Sequence, residues 1–278
     1  MSSDSGGMGL TTAELEDMSR RCRINIVKMT HRAAAGHPGG SLSAIDLIAA
    51  LYGTQLRIDP GNADWDDRDR FIMSKGHASP AVYSILYEIG YLSENDLMGF
   101  RTLGSVCQGH VDMKWTEGVD FSAGSLGMGL SFGLGCALAA KMDGSERIIW
   151  VMLGDGEVQE GEVWEAAMAA EFHSANNLKV IVDRNGIQND DFVSVQMEVG
   201  DVASKLASFG WEVLEIDGHS MTDIVQALEW AVSIDDGPCA IVAKTVKGKG
   251  VSFMEDNPAF HGKAPDDNEL KIALEELS

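Results

Sequence analysis

Apolar side chains recur along this chain in two rhythms, a helical period and short uninterrupted runs, and their alternation predicts the architecture. Over 12–35, Leu15, Met18, Cys22, Ile26 and Met29 follow a three-to-four spacing, which predicts an amphipathic first helix. A second helix is predicted over 43–51. Between the two, Gly36-His37-Pro38-Gly39-Gly40-Ser41 reads as a turn, because glycine and proline punctuate helical patterns. Short apolar runs at 71–73, 148–153, 180–182, 212–216 and 240–246 predict strands, most of them followed by Gly, Asp or Asn and then by a helical pattern. Ile224, Ala227, Leu228 and Ala231 share one face of the last full helix, with Ser220 and Asp223 spaced as a capping box. Strands alternating with helices form parallel crossover units, so the expected fold is α/β: a doubly wound, mainly parallel sheet flanked by helices. No linker divides the chain. The expected organisation is a Gly/Ser-rich flexible N-terminus at 1–11 and a single domain over 12–278. The acidic run at 64–70 reads as a solvated turn before the first strand.

Composition narrows the classes. Of 278 residues, 43 are Asp or Glu and 21 are Lys or Arg, a formal net charge of −22 that argues against a nucleic-acid or anionic-membrane surface. The apolar fraction of 45% is enough for a full core. The longest apolar run, 148–153, has a strand's length and falls far short of a membrane span. Cys22, Cys107, Cys136 and Cys239 form no CxxC pair and read as reduced thiols of a cytoplasmic protein, without a zinc site. The N-terminus lacks a secretory signal pattern.

The chemistry concentrates after the run at 148–153, in Gly154-Asp155-Gly156-Glu157-Val158-Gln159-Glu160-Gly161. A carboxylate between two glycines at a strand end can approach a metal-bound phosphate closely, because no side chain obstructs it. Thirty residues after Asp155, the next strand runs into Arg184-Asn185-Gly186-Ile187, which offers an amide oxygen and accessible carbonyls. Carboxylate, amide and carbonyl oxygens suit magnesium or calcium, with diphosphate and water completing the shell. The triplet by itself also fits an ordinary strand-to-helix turn with a capping Asp; Asn185 at that remove, with a strand before each element, favours the metal. The helix that follows is expected to bury Val163, Trp164, Ala167 and Met168. The glycine-rich stretch 124–135 lacks the P-loop pattern and reads as a close-packing helix surface.

Gly154-Asp155-Gly156 through Asn185 resembles the thiamin diphosphate motif, and the wording from Gly154 to Ala166 resembles transketolases specifically. The resemblance covers almost the whole chain. It includes Gly36-His37-Pro38-Gly39, Ser74-Lys75-Gly76-His77-Ala78, Gly109-His110, Gly124-Ser125-Leu126-Gly127, Val182-Asp183-Arg184-Asn185-Gly186 and Phe260-His261-Gly262-Lys263-Ala264-Pro265.

The resemblance implies a thiamin diphosphate cofactor and a divalent ion, Mg2+ or else Ca2+ or Mn2+, held by Asp155, Asn185 and the carbonyl of Ile187. It implies that His77, His261, Gly124, Gly154 and Gly156 line the cofactor, that Leu126 packs on its aminopyrimidine, and that Glu160 meets the partner's activating glutamate across a subunit interface. His37, His77, His110 and His261 would reach the substrate channel as hydrogen-bonding and proton-handling groups. His31 and His173 lack such context and read as structural, while His219, in a strand-to-helix turn, is undecided between a supporting and a substrate-proximal place.

A one-chain transketolase continues into a pyrimidine-binding domain and a C-terminal domain. The expectation is therefore a diphosphate-binding subunit of a split transketolase, active only with a C-terminal subunit that carries the pyrimidine domain, in an α2β2 assembly. The implied reaction moves a two-carbon ketol unit from a ketose, typically a sugar phosphate, to an aldose, with pentose-phosphate exchange ahead of a specialised ketose such as a sulfo-sugar. Val111, Met128 and Ala35 depart from residues usual in the family and leave the substrate open. The alternatives are an α subunit of a 2-oxo acid dehydrogenase, which the histidine set disfavours, and a non-catalytic cofactor-binding paralogue, which the intact Asp155 and Asn185 disfavour.

Overall fold

The computed structural model describes residues 7–189 and 191–278; residues 1–6 of the expected flexible N-terminus, and Asp190, lie outside them. In chain order the elements are α1 (Thr12–Ala33), α2 (Pro38–Thr54), β1 (Arg70–Met73), α3 (Ser79–Glu88), α4 (Glu94–Met98), α5 (Met128–Asp143), β2 (Ile149–Gly154), α6 (Gly161–Phe172), β3 (Leu178–Arg184), β4 (Ile187–Gln188), β5 (Asp191–Phe192), α7 (Val193–Gln196), α8 (Val202–Ser208), β6 (Glu212–Asp217), α9 (Met221–Ser233), β7 (Cys239–Lys244) and α10 (Asp267–Glu276).

Five strands form one parallel sheet in the order β1-β2-β3-β7-β6, and β4 and β5 make a small antiparallel pair. Successive strand residues point to opposite faces, and each face is covered. Trp150, Met152, Ile181, Ile241 and Ala243 join one core with α1, α2, α3 and α9, while Ile149, Val151, Leu153, Val180 and Val242 join the other with α5, α6 and α8. This double coverage makes the strands read as apolar runs rather than alternations.

Local signals end the helices where chemistry allows. Thr11 and Glu14 form a capping box on α1, and Leu10 N–H donates to Gly53 C=O at 3.3 Å. Ser220 accepts the Asp223 N–H at 3.4 Å, a single side-chain cap on α9. The stretch 79–143 gives weak periodicity, and α3, α4 and α5 arise there. In α5 the glycines serve close approach: a Cβ on Gly133 would stand 2.5 Å from Val151 Cγ2, and one on Gly129 2.3 Å from Ser74 Oγ. The chain also continues past α9 to a further helix, α10, whose Ala273 joins the core beneath α1.

Three expectations are corrected. Pro38-Gly39-Gly40-Ser41, expected in a turn before a helix at 43–51, form the first turn of α2, since proline suits a helix start where its missing N–H costs nothing. On α6, Val163 and Ala167 are buried but Met168 is 49% exposed, because the face turned to the sheet is built from Ala166 and Ala170 instead. In the acidic run, Arg68 and Asp69 are buried, since Asp69 accepts both the Arg57 guanidinium and the Ile148 backbone N–H, while Arg68 grips Asp120. Among the described residues no helix is long and apolar enough to cross a membrane.

Candidate active site at the carboxyl ends of the strands

Parallel strands in one sheet bring all their carboxyl ends to one edge, where open α/β sheets collect their functional loops. Gly154, last residue of β2, pairs with Asp183 of β3, so the turns carrying Asp155 and Asn185 leave the sheet side by side. The Gly186 N–H donates to Asp155 Oδ2 at 2.6 Å. Asn185 gives its Nδ2 to Asp183 Oδ2 at 3.1 Å, which turns its Oδ1 towards the Ile187 N–H at 3.2 Å. A Cβ on Gly156 would lie 2.4 Å from Gln188 Cβ, so only glycine lets the β2 turn close onto the segment after Asn185. An open cleft borders Asp155, Asn185 and Gly186.

Three further elements bring histidines to this edge. His37 stands at the N-terminus of α2, His77 in a single turn after β1, and His261 in the loop before α10. Ring centroids lie 5.2 Å apart for His37 and His77, 5.2 Å for His37 and His261, 5.1 Å for His77 and His261, and 6.2 Å for His37 and His110. Burial holds the pKa of His37 down at about 4 and that of His261 at about 3 and pushes His77 well below the usual imidazole range, while partial desolvation lowers that of His110, which is exposed at the rim. All are neutral near pH 7. Among the described residues His37 Nδ1 is buried without a hydrogen-bond partner, a polar atom that a bound ligand can satisfy.

Among the other predicted residues, Leu126 is half-buried and Gly124 exposed on the loop before α5, while Glu160 is exposed at the start of α6. Gly154 is buried, and a Cβ there would meet the Lys75 stem at 3.2 Å. The geometry thus gathers His37, His77, His110 and His261 beside Asp155, Asn185 and Ile187, with Glu160 on the neighbouring surface. Val111, where the family's pattern has proline, donates its N–H to Gly76 C=O at 3.3 Å, a bond proline lacks the hydrogen to make.

Sequence reasoning missed the groups beneath this surface. Asp183 is fully buried and accepts from Lys75, Thr245, Ser43 (2.6 Å) and Asn185; burial alone would raise its pKa, but Lys75 and these donors lower it. Glu157 accepts from Ser74 and from the N–H groups of Gly127 and Gly154, each at 2.9 Å, tying the β2 turn to the loop before α5. Lys247, on the turn after β7, is 2% exposed with its Nζ 3.2 Å from Ile187 O and 2.7 Å from His261 Nδ1. Burial, then the nearby Lys75 charge, lower its pKa to about 7. It bonds no carboxylate among the described residues. The only signal for it was a basic residue among glycines, which reads as surface.

The donor set fits a divalent ion and a diphosphate. Burial raises the Asp155 carboxyl, and Asp183 adds to that, so its charged form gains from a cation, while Lys247, lowered to about 7, gains from an anion beside it. Among the described residues no three His, Cys, Asp or Glu side chains converge on one point, so an ion bound here takes further oxygens from the ligand it clamps.

Residues 15–278 match the family described as transketolase, thiamine diphosphate binding domain. The chain is 39% identical to the 6-deoxy-6-sulfo-D-fructose transketolase subunit of Clostridium sp. (strain MSTE9), covering 88% of this chain and 90% of that protein. It is 36% identical to one of the subunits of the apulose-4-phosphate transketolase of Phocaeicola vulgatus, covering 98% of this chain and 95% of that one. The crystal structure of transketolase from Campylobacter jejuni superposes with a TM-score of 0.91 at 34% identity over 96% of this chain, which spans 43% of that longer chain.

Proposed function

The chain belongs to the thiamine diphosphate-binding domain family of transketolases, and from that premise we propose that it is the diphosphate-binding subunit of a two-chain transketolase that moves a ketol unit from a ketose to an aldose. The observation that carries the reading is the meeting, at one edge of the sheet, of an oxygen set, four neutral histidines and a buried lysine that bonds no carboxylate among the described residues. When bound, thiamine diphosphate supplies the nucleophilic carbon that takes the two-carbon fragment and passes it on.

Each residue then has a physical task. Asp155, the Asn185 amide and the Ile187 carbonyl would hold Mg2+, and Gly156 keeps their turns close together. Lys247 offsets diphosphate charge in a buried setting, where a charge is worth more than in water. His77 and His261 would face the diphosphate and thiazolium end, and Gly124, Gly154 and Leu126 would line the cofactor. His37 and His110 present neutral ring nitrogens that hydrogen-bond sugar hydroxyls and relay protons, which imidazoles held below their usual pKa do at neutral pH. Asp183 and Glu157 orient these groups from beneath.

Two features support a partner. The relatives named as subunits are matched over 90% or more of their own length. On the packed helices α5 and α6, Met128 and Phe132, and Met168 and Phe172, are exposed apolar residues, each pair at the i, i+4 spacing of one helix face, and Gly127, next to Met128, lies against Glu160. We assign that surface to a chain carrying the pyrimidine-binding domain, in an α2β2 assembly with Glu160 at the contact. The free thiols Cys22, Cys107, Cys136 and Cys239 fit a cytoplasmic enzyme.

The test is co-expression with such a chain, followed by assay with thiamine diphosphate and Mg2+. Pentose phosphates are offered first and then the ketoses for which the two relatives are named. Transfer by the complex and none by this chain alone is expected. Full activity without a partner overturns the two-chain assignment, and no ketol transfer from any of these donors overturns the reaction.

A further inference from the structure

At the border of the cleft that Asp155 and Asn185 line, Arg23 of α1, Asp46 of α2 and the partly buried His219, in the turn between β6 and α9, form a hydrogen-bonded chain to which the proposed reaction assigns no part. Arg23 donates Nη1 to Asp46 Oδ1 at 2.9 Å and Nη2 to Oδ2 at 2.6 Å. His219 Nδ1 lies 2.8 Å from the same Oδ2. On the other side of the ring, His219 Nε2 is 2.8 Å from the backbone N–H of Val246. A backbone N–H only donates, so Nε2 is the acceptor and the ring proton sits on Nδ1, facing the carboxylate. Arg23 already balances Asp46, which leaves the imidazole free to act as a directed acceptor rather than as a counter-charge.

The far end of this chain is the turn 246–249. Backbone groups of that turn are held from several sides: the Val246 N–H by His219, the Gly248 N–H by Gly39 C=O at 3.0 Å, the Lys249 C=O by Arg23 Nε at 3.1 Å, and the Lys247 C=O by the Asp256 N–H at 2.9 Å. The side chain between the held points is Lys247, whose ammonium meets Ile187 O and His261 Nδ1. A Cβ on Gly39 would lie 3.2 Å from Lys247 Cγ and 2.9 Å from Phe260 O, so the lysine stem runs in a slot that only glycine leaves open.

We propose that Arg23, Asp46 and His219 form a positioning relay that fixes the turn 246–249 and so sets where Lys247 meets the Ile187 carbonyl and the His261 ring. His219 touches none of the candidate cofactor groups, and its effect passes through the Val246 N–H. The functional consequence rests on the reading of Lys247 as a diphosphate contact; the structural claim does not.

Three substitutions in the full chain separate the two sides of the ring. His219→Gln can keep an acceptor near the Nε2 position, His219→Asn keeps a donor towards Asp46 but not the reach to Val246, and His219→Ala keeps neither. Backbone hydrogen exchange at 245–250 and acylation of Lys247 by acetic anhydride, both read by mass spectrometry, are measured without cofactor and beside the melting temperature. Loss of one buried hydrogen bond predicts exchange and Lys247 acylation about fivefold to tenfold faster in the Ala and Asn variants. The Gln variant is expected near the parent. Unchanged exchange and labelling in folded Ala or Asn variants overturn the proposal. So does a Gln variant no better than Ala while all melt alike, which is the behaviour of simple interhelix packing. In the complex with its partner, the Ala variant is expected to need more thiamine diphosphate for half-maximal rate while kcat at saturation changes little. A positive result without cofactor and none with it leaves the relay standing and refutes the role of Lys247.

Discussion

The two ends of the central sheet bury the same kinds of residue and treat their charges in opposite ways. At the amino end, Asp69 accepts the Arg57 N–H at 2.9 Å, its guanidinium at 3.0 Å and the Ile148 N–H at 2.8 Å. Asp120 accepts two Arg68 nitrogens at 3.0 and 2.6 Å and the Phe71 N–H at 3.0 Å. Each buried carboxylate there faces an arginine and a backbone donor, so nothing is left over for a ligand. At the carboxyl end one matched pair, Lys75 with Asp183, forms a floor. Above it stand Asp155 held by a backbone N–H and, among the described residues, Lys247 without a carboxylate partner and His37 with an unpartnered ring nitrogen. Polar groups left unsettled by the chain itself mark the end that binds something, and they carry shifted pKa values for the same reason.

The floor offers the sharpest way to break this contrast. Asp183→Ala strands the Lys75 ammonium in the core and is expected to cost about 3–5 kcal/mol of stability in urea unfolding; a cost below about 1 kcal/mol would remove the distinction between floor and site. Asp155→Ala is expected to do the reverse. It deletes a buried carboxylate that folding leaves short of a cation, so stability holds or rises, while ketol transfer by the assembled enzyme falls about 10²–10³-fold. Urea unfolding of the variant beside its rate with partner, cofactor and Mg2+ reads both halves.

Asp46 provides a smaller test, because it lies near the site yet is matched like the amino-end carboxylates. Burial raises its carboxyl, but the His219 hydrogen bond and the Arg23 charge outweigh that and hold it at about 2, below the ordinary 3.8. A folded-state pKa below the unfolded one stabilises above the unfolded value, and that contribution disappears as pH falls towards the folded one. The stability advantage of the parent over Asp46→Asn is therefore expected to shrink by roughly 2 kcal/mol between about pH 5 and pH 2. Urea unfolding across that range measures it, and a pH-independent difference would show the pairing contributes nothing.

Much of the site was legible from local wording. Asp155 and Asn185 stood out because each follows a strand, and parallel pairing of Gly154 with Asp183 makes neighbours of their turns. The histidines were legible only through resemblance, since His37, His77, His110 and His261 lie on four separate segments. Lys75, Glu157, Asp183 and Lys247 were not singled out. Lys75 meets Asp183 across a separation of 108 residues and Ser74 meets Glu157 across 83, and no local pattern encodes such a meeting. The fold was misread in the same manner: Met168 has an apolar side chain on a helical period, yet the small residues Ala166 and Ala170 take the face against the sheet.

What the chain's order of residues determined by itself is whatever short-range physics controls. Apolar runs with turn residues after them make buried parallel strands, and glycines around a carboxylate make a close turn. Only the tertiary structure decided which charges are matched. Whether Asp69 is a solvated turn residue or Arg57's buried partner, and whether Lys247 is surface or site, depends on burial and on partners far away in the chain. The energy of a charge is set by its surroundings in space, and neighbouring letters carry little of that information.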